Sequence, residues 1–420
     1  MRVGSFVVFV ALVTTSVAQP DANAASHHIP QTPPIVLHAA GMIDVVSGAR
    51  VDDALVVVTG DRITGLGPAG TVTAPSGAQR VELGRATLLP GLIDLHVHLT
   101  LAGTPEANAK ATLLAGFTTV QDLGALNYGN LDLRDAIAAG RTVGPRVIAS
   151  GPWIGLAGGI CDFQGIGVRG PDEFRRRVRE DVARGADLIK VCVSAWLPAA
   201  FSQPDAFEIG EPELVAAIDE AHKARRRVAV HALSRAGIRA AVTHGADLVV
   251  HGGFADPETI REMQKRGVPQ LPTLFSLTQN PTPAAEALIA HMRSAVGLGL
   301  PVAFGTDAGV IPHGRNAEEF AYLTRIGLTP IAAIRSATQE AAQVIGLGDR
   351  IGSLTAGKLA DLIAVDGNPL DDLTSLKRVV FVMRNGQIFR QPSGGVSAPA
   401  APYLRAGSSF LEYFSNQYRR

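Results

Sequence analysis

Cysteine and aromatic residues are scarce in this sequence. Its two cysteines, Cys161 and Cys192, cannot form a multi-disulfide framework, and a chain of 420 residues does not need one to fold. The sequence alone leaves open whether they form one disulfide in an oxidising compartment or stay reduced. Aromatic residues make up 5% of the chain, which argues against stacking platforms for nucleic-acid bases.

Net charge is also lacking, since 38 basic residues balance 38 acidic ones. The sequence therefore shows no basic face for nucleic acid or anionic lipid, and we expect a small-molecule substrate as the partner. Hydrophobic residues make up 46% of the chain and charged residues 18%, which is typical of a globular protein with a large core. The length predicts one large domain with a smaller one beside it.

Apolar runs long enough to cross a bilayer are lacking, and the one candidate for a membrane-directed segment is a modest apolar run at the N-terminus. Arg2 precedes the apolar residues 6–13, and small residues offer cleavage sites after Ala18 or after Ala24. This pattern predicts a cleavable signal peptide over residues 1–24, and hence a periplasmic or secreted protein without a stable membrane span after processing. An N-terminal membrane anchor is the alternative, although the run is short for a span.

Strand patterns occupy both ends of the remaining chain. After a polar, alanine- and proline-rich linker over residues 25–34, short β-branched runs alternate with turn residues over 35–89. The same character returns over residues 351–391, where an Asn-Gly pair signals a hairpin. We expect the two segments to form a small β-sandwich domain. The tail over residues 392–420 is either a contact with a partner subunit or a frayed terminus.

The middle of the chain, residues 90–350, alternates short apolar strands with amphipathic helices. In the helix predicted over residues 172–184, for example, Phe174, Val178 and Val182 form one apolar stripe. Eight segments have strand character, at residues 92–99, 118–123, 146–150, 188–193, 227–231, 248–251, 268–274 and 302–306. Eight strands that alternate with helices predict an α/β fold built on a (β/α)₈ TIM barrel.

The first of these strands carries a His-x-His pair, His96 and His98. Because side chains alternate along a strand, both imidazoles lie on one face, and in a barrel this face leads to the C-terminal mouth where active sites lie. Two imidazoles presented together can bind a divalent metal ion. The pair alone is weak evidence, since the pattern also arises by chance and in protein cores.

Other strand ends carry polar groups as well. Lys190 lies inside an apolar strand, where a buried unpaired ammonium group is costly, and His231, His251 and Asp307 each end or follow a strand. A satisfied core residue is the simpler interpretation of any one of them. Four separate strand ends with metal-compatible groups, in addition to the histidine pair, indicate a shared metal centre.

These strand ends lie in motifs that resemble a known superfamily. The segments PGLIDLHVHL, GFTTVQDLG, GADLIKV, VAVHA, VVHGG and VAFGTDAG resemble the successive motifs of the amidohydrolase superfamily, in its imidazolonepropionase-related, prolidase-like branch. The resemblance covers essentially the whole chain after the linker, including GSLTAGKLADLIAVDGNPL. It implies a metal-dependent hydrolase that cleaves an amide or peptide bond of a dipeptide or an N-acyl amino acid.

The resemblance also implies a binuclear metal centre, most often of two zinc ions. The implied ligands are His96, His98, Lys190, His231, His251 and Asp307. Lys190 would be carboxylated on its side-chain nitrogen and bridge both ions as an anion. Asp307 would act as the general base and acid, taking a proton from a metal-bridged hydroxide and passing it to the leaving amine.

Two residues of the loop PHGRN are weaker candidates. His313 would contact the substrate or stabilise an oxyanion, or else cap the next helix; Arg315 would pair with a substrate carboxylate, or else be a solvated loop residue. The sequence also departs from the branch, because Ile160 stands where its GGHGD motif has a histidine. This departure puts an inherited substrate contact, and with it the exact specificity, in doubt.

Other functions fit the same ligand set. The centre would also suit a lactone, a cyclic imide or a phosphotriester, and a non-catalytic periplasmic protein is the alternative from another class. Relatives of this kind often assemble into symmetric oligomers, and we therefore expect a homo-oligomer by analogy.

Overall fold

The structure of the protein is a computed structural model, and it describes residues 33–392. The predicted signal peptide, most of the predicted linker and the tail from residue 393 lie outside the described residues, so the predictions about them stay predictions. Within residues 33–392, no helix combines the length and the apolar character needed to cross a bilayer.

The described part of the chain contains fifteen strands and twelve α-helices. The strands are β1 (Ile35–Ile43), β2 (Arg50–Thr59), β3 (Arg62–Pro68), β4 (Gln79–Glu82), β5 (Ala86–Pro90), β6 (Leu92–Val97), β7 (Phe117–Asp122), β8 (Arg146–Ala149), β9 (Leu188–Cys192), β10 (Arg227–Ala232), β11 (Leu248–His251), β12 (Gln270–Leu271), β13 (Leu362–Asp366), β14 (Val379–Arg384) and β15 (Gln387–Arg390). The helices are α1 (Pro105–Leu114), α2 (Gly129–Ala138), α3 (Gly170–Ala183), α4 (Leu197–Ser202), α5 (Glu211–Lys223), α6 (Arg235–Thr243), α7 (Pro257–Arg266), α8 (Leu274–Thr278), α9 (Pro283–Gly297), α10 (Glu319–Arg325), α11 (Pro330–Ser336) and α12 (Gln339–Val344).

The β-rich ends of the described chain share one eight-stranded sheet. Its order is β15-β14-β13-β5-β1-β2-β3, and β4 pairs with β1. The N-terminal and C-terminal segments meet where β5 runs antiparallel to β13, with Leu88 opposite Ala364. The two segments therefore pair within a single sheet, as predicted. That this sheet folds into a sandwich of two layers stays a prediction.

The apolar run of β2 explains how this sheet is buried. Val56 and Val58 enter a core cluster that also contains Phe381 of β14, whereas Leu55 and Val57 belong to a second cluster. Because successive side chains of a strand point to opposite faces, an uninterrupted run of apolar residues indicates a strand covered on both sides.

Two parallel sheets occupy the middle of the chain. One has the order β6-β7-β8 and the other the order β12-β11-β10-β9. Backbone hydrogen bonds connect the two sheets: the Asp187 amide donates to the Ala149 carbonyl over 2.9 Å, and the Ile154 amide donates to the Lys190 carbonyl over 2.9 Å. The fold is thus α/β with linked parallel sheets, as predicted, and the closure of these sheets into one eight-stranded ring stays a prediction.

Seven of the eight predicted strand segments contain a strand, and the prediction for residues 302–306 was wrong. These residues make single bridges instead of a ladder: Val302 pairs with Gln270, and the Leu95 amide donates to the Phe304 carbonyl over 3.0 Å. The Phe304 amide donates to the Ser336 carbonyl in a helix, so it is not available to a neighbouring strand. The segment nevertheless runs beside β6 and brings the following residue, Asp307, close to it.

Helix α3 confirms the amphipathic pattern that was predicted for this segment. Phe174 and Val178 are fully buried, and the half-buried Val182 packs against the same core. The helix ends where Gly185 adopts a φ of +91°, a backbone conformation that glycine adopts without a steric penalty. The chain then enters β9, which carries Lys190.

Candidate functional site

The residues predicted as metal ligands line a single cavity. They are His96, His98, Lys190, His231, His251 and Asp307. Each of the six is buried, with at most 5% of its surface exposed. They come from β6 and the residue that follows it, from β9, β10 and β11, and from the residue after segment 302–306, so the cavity lies where the parallel strands end.

The pair on β6 faces the carboxylate of Asp307. The Nε2 atoms of His96 and His98 lie 3.2 Å apart, and Oδ1 of Asp307 lies 3.4 Å from the first and 3.2 Å from the second. The backbone holds this arrangement, because the Asp307 amide donates to the His96 carbonyl over 2.7 Å. Two imidazole nitrogens and one carboxylate oxygen, which are atoms of the kind that bind divalent metals, therefore lie close together.

Hydrogen bonds on the far side of two imidazoles leave their Nε2 atoms to face the cavity. Nδ1 of His98 donates to the Gly124 carbonyl over 3.0 Å, and Nδ1 of His251 forms a 2.7 Å hydrogen bond with Oγ1 of Thr273. Metal-binding histidines commonly use one ring nitrogen for such an anchor and the other for the ion. His251 also packs beside His231, with ring centroids 4.5 Å apart.

Three residues that line the cavity have a buried polar atom without a partner. Among the described residues, Nζ of Lys190, Nδ1 of His96 and Nε2 of His231 have no hydrogen-bond partner. Burial lowers the pKa of Lys190 to about 7, although the charge of Asp307 opposes this shift. Burial, and after it the charge of Lys190, lowers the pKa of His96 and of His231 well below the usual value.

This chemistry fits a divalent metal site. Imidazoles with a lowered pKa are neutral at physiological pH, and the neutral form is the one that binds metals. His96, His251 and Asp307 each offer a ligand atom within 4.8 Å of the other two. A bound dication would give Nε2 of His231 the partner that it otherwise lacks, which accounts for the burial of this atom.

Asp94 holds β6, which carries the candidate ligand His96, in place and was missed by the sequence reasoning. Its Oδ1 accepts from the backbone amides of His96 and Thr306, each over 3.1 Å, and its Oδ2 accepts from Thr306 Oγ1 over 2.6 Å and from Asn316 Nδ2 over 2.8 Å. Burial raises its pKa to about 6. The signal was an aspartate inside an apolar strand, two residues before His96, where burial demands a full set of hydrogen bonds.

Three site residues have a left-handed backbone. His251 has a φ of +69°, Asp307 of +62° and Thr273 of +47°, a region that side chains other than glycine seldom adopt. The buried Glu319 supports the last of these turns, because its carboxylate accepts from the amides of Leu274 and Phe275 over 2.8 and 2.7 Å. Strained backbone of this kind concentrates at functional sites, where surrounding contacts hold it.

The remaining cavity wall is apolar, and the sequence reasoning did not identify it. It consists of Leu101, Trp153, Cys161, Phe163, Cys192, Trp196 and Val310. The Trp153 ring lies 5.4 Å from the His98 ring, and the Trp196 ring lies 4.9 Å from the His231 ring. These residues come mainly from loops after β8 and β9, which carry no periodic pattern that would mark them.

A disulfide joins Cys161 to Cys192, which answers the question that the sequence left open. Their Cα atoms are 6.3 Å apart, and their sequence separation is 31. Cys192 lies two residues after Lys190 on β9, so the bond fastens the loop after β8 to the strand that carries Lys190. Ile160, the residue that departs from the family motif, is buried next to this disulfide.

The structure does not bring His313 and Arg315 to the cavity. Nδ1 of His313 lies 3.0 Å from Oγ1 of Thr112, and its Nε2 lies 3.2 Å from the His98 carbonyl oxygen, so both ring nitrogens have protein partners. The Arg315 guanidinium lies 5.0 Å above the Phe275 ring. Roles for these two side chains in substrate binding or catalysis stay predictions.

Comparisons with known proteins agree with this site. A family model for the amidohydrolase family matches residues 87–389. An ochratoxinase of Aspergillus niger is 28% identical over 369 residues, covering 73% of this chain and 76% of that protein. An imidazolonepropionase of Cereibacter sphaeroides is 29% identical over 359 residues, covering 74% of this chain and 88% of that protein. The structure of a Xaa-Pro dipeptidase with bound methionine matches with a TM-score of 0.77 at 29% identity, covering 85% of this chain and 100% of that one.

These similarities confirm the relationship that the motifs predicted, including its prolidase-like branch, and they imply a TIM barrel for the parallel sheets. The family model spans well over half of the chain and includes every residue that lines the cavity. The chain therefore belongs to the amidohydrolase family and is a hydrolase that acts on carbon–nitrogen bonds.

Proposed function

We propose that this protein hydrolyses an amide or peptide bond of a small molecule with the help of two divalent metal ions, most suitably zinc. The observation that carries the proposal is the convergence of four histidines, one aspartate and one lysine, all buried, on one cavity. The names of the relatives support the choice of bond, since they include an ochratoxinase and a Xaa-Pro dipeptidase.

All six buried residues would hold the ions. His96, His98 and Asp307 would serve one ion, His231 and His251 the other, and Lys190, once carboxylated, both. Carboxylation would replace a buried cation without a hydrogen-bond partner by an anion, which two neighbouring dications require. When bound, such ions polarise a carbonyl group and lower the pKa of water, so no serine or cysteine nucleophile is needed.

Asp307 would handle the proton in this reaction. Its Oδ1 faces the Nε2 atoms of His96 and His98, at the point where the ligand set converges. From this position the carboxylate would accept the proton of the attacking water and deliver it to the amine that leaves. Asp94 accepts hydrogen bonds from the amides of both His96 and Thr306, and these bonds would hold β6 at a fixed position relative to the segment before Asp307.

Further proposals concern the setting of the enzyme. We propose that the two parallel sheets form one closed (β/α)₈ barrel beside a β-sandwich, and that the protein is a homo-oligomer. We also propose export to the periplasm or the exterior, for which the disulfide between Cys161 and Cys192 is the support, since such bonds persist in oxidising compartments.

Metal analysis combined with a hydrolysis screen tests the proposed function. The zinc-loaded protein is assayed against dipeptides, N-acyl amino acids and neutral aromatic amides, with a lactone and a phosphotriester as controls. We expect two ions per chain and hydrolysis of amides above the controls. Lys190→Ala should lose metal and at least about 100-fold in kcat/KM, with partial rescue by bicarbonate or short carboxylic acids.

The exposed Lys265 gives a matched control, because Lys265→Ala removes the same group at a position outside the cavity lining. This variant should keep native metal content and rate. Native metal content and turnover in Lys190→Ala, or a fully loaded protein that cleaves no amide, would contradict the proposal.

A further inference from the structure

The residues that line the cavity are of two kinds: the candidate metal ligands and a set of apolar side chains. Beyond the six residues proposed to hold metal, its lining consists of Leu101, Trp153, Cys161, Phe163, Cys192, Trp196 and Val310. Within the described part of the chain, no arginine, and no lysine other than Lys190, lines it. A substrate group beyond the scissile bond therefore meets hydrocarbon, aromatic rings and sulfur.

Aromatic rings lie beside two parts of the candidate ligand set. Trp153 and Phe163 meet edge to face with ring centroids 4.7 Å apart, and Trp153 lies beside His98; we call these two residues the aromatic wall. Trp196 lies beside His231 and 6.2 Å from the His251 ring, and it packs against the same apolar cluster as the aromatic wall. A flat apolar group next to a bond held at the ligand set would contact these rings.

The aromatic wall is fastened in place by the protein itself. Cys161, two residues before Phe163, is bonded to β9 through Cys192. The Asp162 carboxylate accepts from the amides of Gly158 and Gly167 over 2.7 and 2.6 Å, which closes the loop on itself. A recognition surface that is already ordered loses less conformational entropy on binding, so it favours ligands that match its shape and polarity.

The charged groups that would recognise a free carboxylate are engaged elsewhere. The Arg315 guanidinium lies over Phe275 and 3.6 Å from Glu318, and both ring nitrogens of His313 contact protein atoms. A carboxylate placed against the aromatic wall would lose its hydration, and among the described residues that line the cavity only Lys190 could offer it a cation.

We propose that the substrate is a neutral amide with an aromatic or bulky apolar group beside the scissile bond, and that Trp153 and Trp196 determine this specificity. The inference rests on the proposed amide hydrolysis and narrows its substrate class. A zwitterionic dipeptide or a free N-acyl amino acid is then a poor substrate, and a compound of the same shape without the carboxylate is a good one.

The chain offers its own reporter for a test, because it has two tryptophans, Trp153 and Trp196, and both line the cavity. The metal-loaded protein is titrated with N-benzoyl-phenethylamine and with N-benzoyl-phenylalanine, which differ by one carboxylate, while tryptophan fluorescence is recorded. Hydrolysis of both compounds is followed in parallel. We expect the neutral compound to have at least about a tenfold advantage in affinity and in kcat/KM.

Trp153→Leu keeps an apolar side chain and removes the ring, so it should weaken binding of the neutral compound by about tenfold while metal content stays native. Phe201→Leu is the matched control, because Phe201 is exposed and lies outside the cavity, and it should bind and turn over like the wild type.

The outcomes separate the two proposals. Equal or better binding and turnover of the carboxylate compound, or no binding of either, would overturn the inference about specificity. Selective binding of the neutral compound without hydrolysis of any amide would uphold the apolar recognition and overturn the proposed reaction.

Discussion

At the scale of single residues, the sequence predicted best which six polar residues would meet in one cavity. His96, Lys190 and Asp307 are polar groups inside or just after apolar strands, where a side chain that has no function is seldom polar. The structure brings them, with His98, His231 and His251, to one cavity. Two rules were enough to predict that these residues meet: side chains alternate between the two faces of a strand, and the C-terminal ends of barrel strands surround the active site.

The same reasoning could not find the aromatic wall or the groups that hold the ligands. Trp153 and Phe163 belong to an irregular loop, and only the tertiary fold decides which residues of such a loop face a cavity. Thr273 reaches His251 because its own backbone has a φ of +47°, which no local pattern indicates. The structural role of Asp94 could have been predicted from the sequence, since a carboxylate in a buried strand needs hydrogen-bond partners.

The residue-scale prediction concerns Asp307. Asp307→Asn keeps the shape of the side chain and one oxygen, so most of the metal should stay bound, while the group that accepts a proton is lost. We expect kcat to fall by about 100-fold to 10,000-fold, the usual contribution of general acid–base catalysis. Steady-state kinetics with metal analysis check this, and Asp219→Asn on the exposed face of α5 is the control. A variant with near-native kcat would exclude Asp307 as the base.

At the scale of elements, the sequence predicted those whose pattern is long and periodic and failed where a segment is short. Helix α3 was predicted within two residues at its N-terminus, because its stripe of Phe174, Val178 and Val182 extends over more than two turns. The predicted strand over residues 302–306 was wrong, since an apolar run of five residues does not say whether its amides meet a strand or, as for Phe304, a helix carbonyl.

Helix α3 also contains a buried acid with an altered pKa. Asp181 accepts a 2.9 Å hydrogen bond from the hydroxyl of Tyr128, which precedes α2. Burial raises the pKa of Asp181 to about 7, although Arg177 opposes the shift. The folded state therefore holds a proton up to about pH 7 that the unfolded chain releases near pH 4. The free energy of unfolding should accordingly fall as the pH rises from about 4 to about 7.

Asp181→Asn should remove this pH dependence. An amide keeps the acceptor for Tyr128 and carries no charge, so the variant should gain stability relative to the wild type between pH 5 and pH 8. We expect a relative gain of at least about 1.4 kcal/mol, the equivalent of one pKa unit. Chemical denaturation at pH 5 and at pH 8 measures the unfolding free energy of both proteins. The control is Asp172→Asn at the exposed start of α3, which should leave the change of unfolding free energy with pH as it is in the wild type. An unchanged slope in Asp181→Asn would assign the pH dependence to other groups.

At the scale of the whole molecule, contacts between distant segments decide what the sequence could not. The two β-rich ends pair where β5 runs beside β13. Local sequence patterns suggest that both segments are strands, but they cannot specify the register in which the strands pair. Arg146 of β8 then ties the parallel sheets to the β-rich ends, since its guanidinium donates to the buried Asp361 over 2.5 Å. The disulfide between Cys161 and Cys192 is a third such contact, and it is the one that reaches the active-site cavity.

The disulfide should contribute both stability and substrate affinity. A bond that closes a loop of 31 residues restricts the unfolded chain, which corresponds to about 3–4 kcal/mol of unfolding free energy. The double variant Cys161→Ser/Cys192→Ser should lose about this amount in the presence of a chelator, which removes any difference in metal binding. Its KM for a neutral aromatic amide should rise more than its kcat falls, because Phe163 is then no longer fastened to β9. Wild-type protein treated with a reductant should behave in the same way. An unfolding midpoint and a KM that match those of the oxidised wild type would show that the aromatic wall stays in place without the bond.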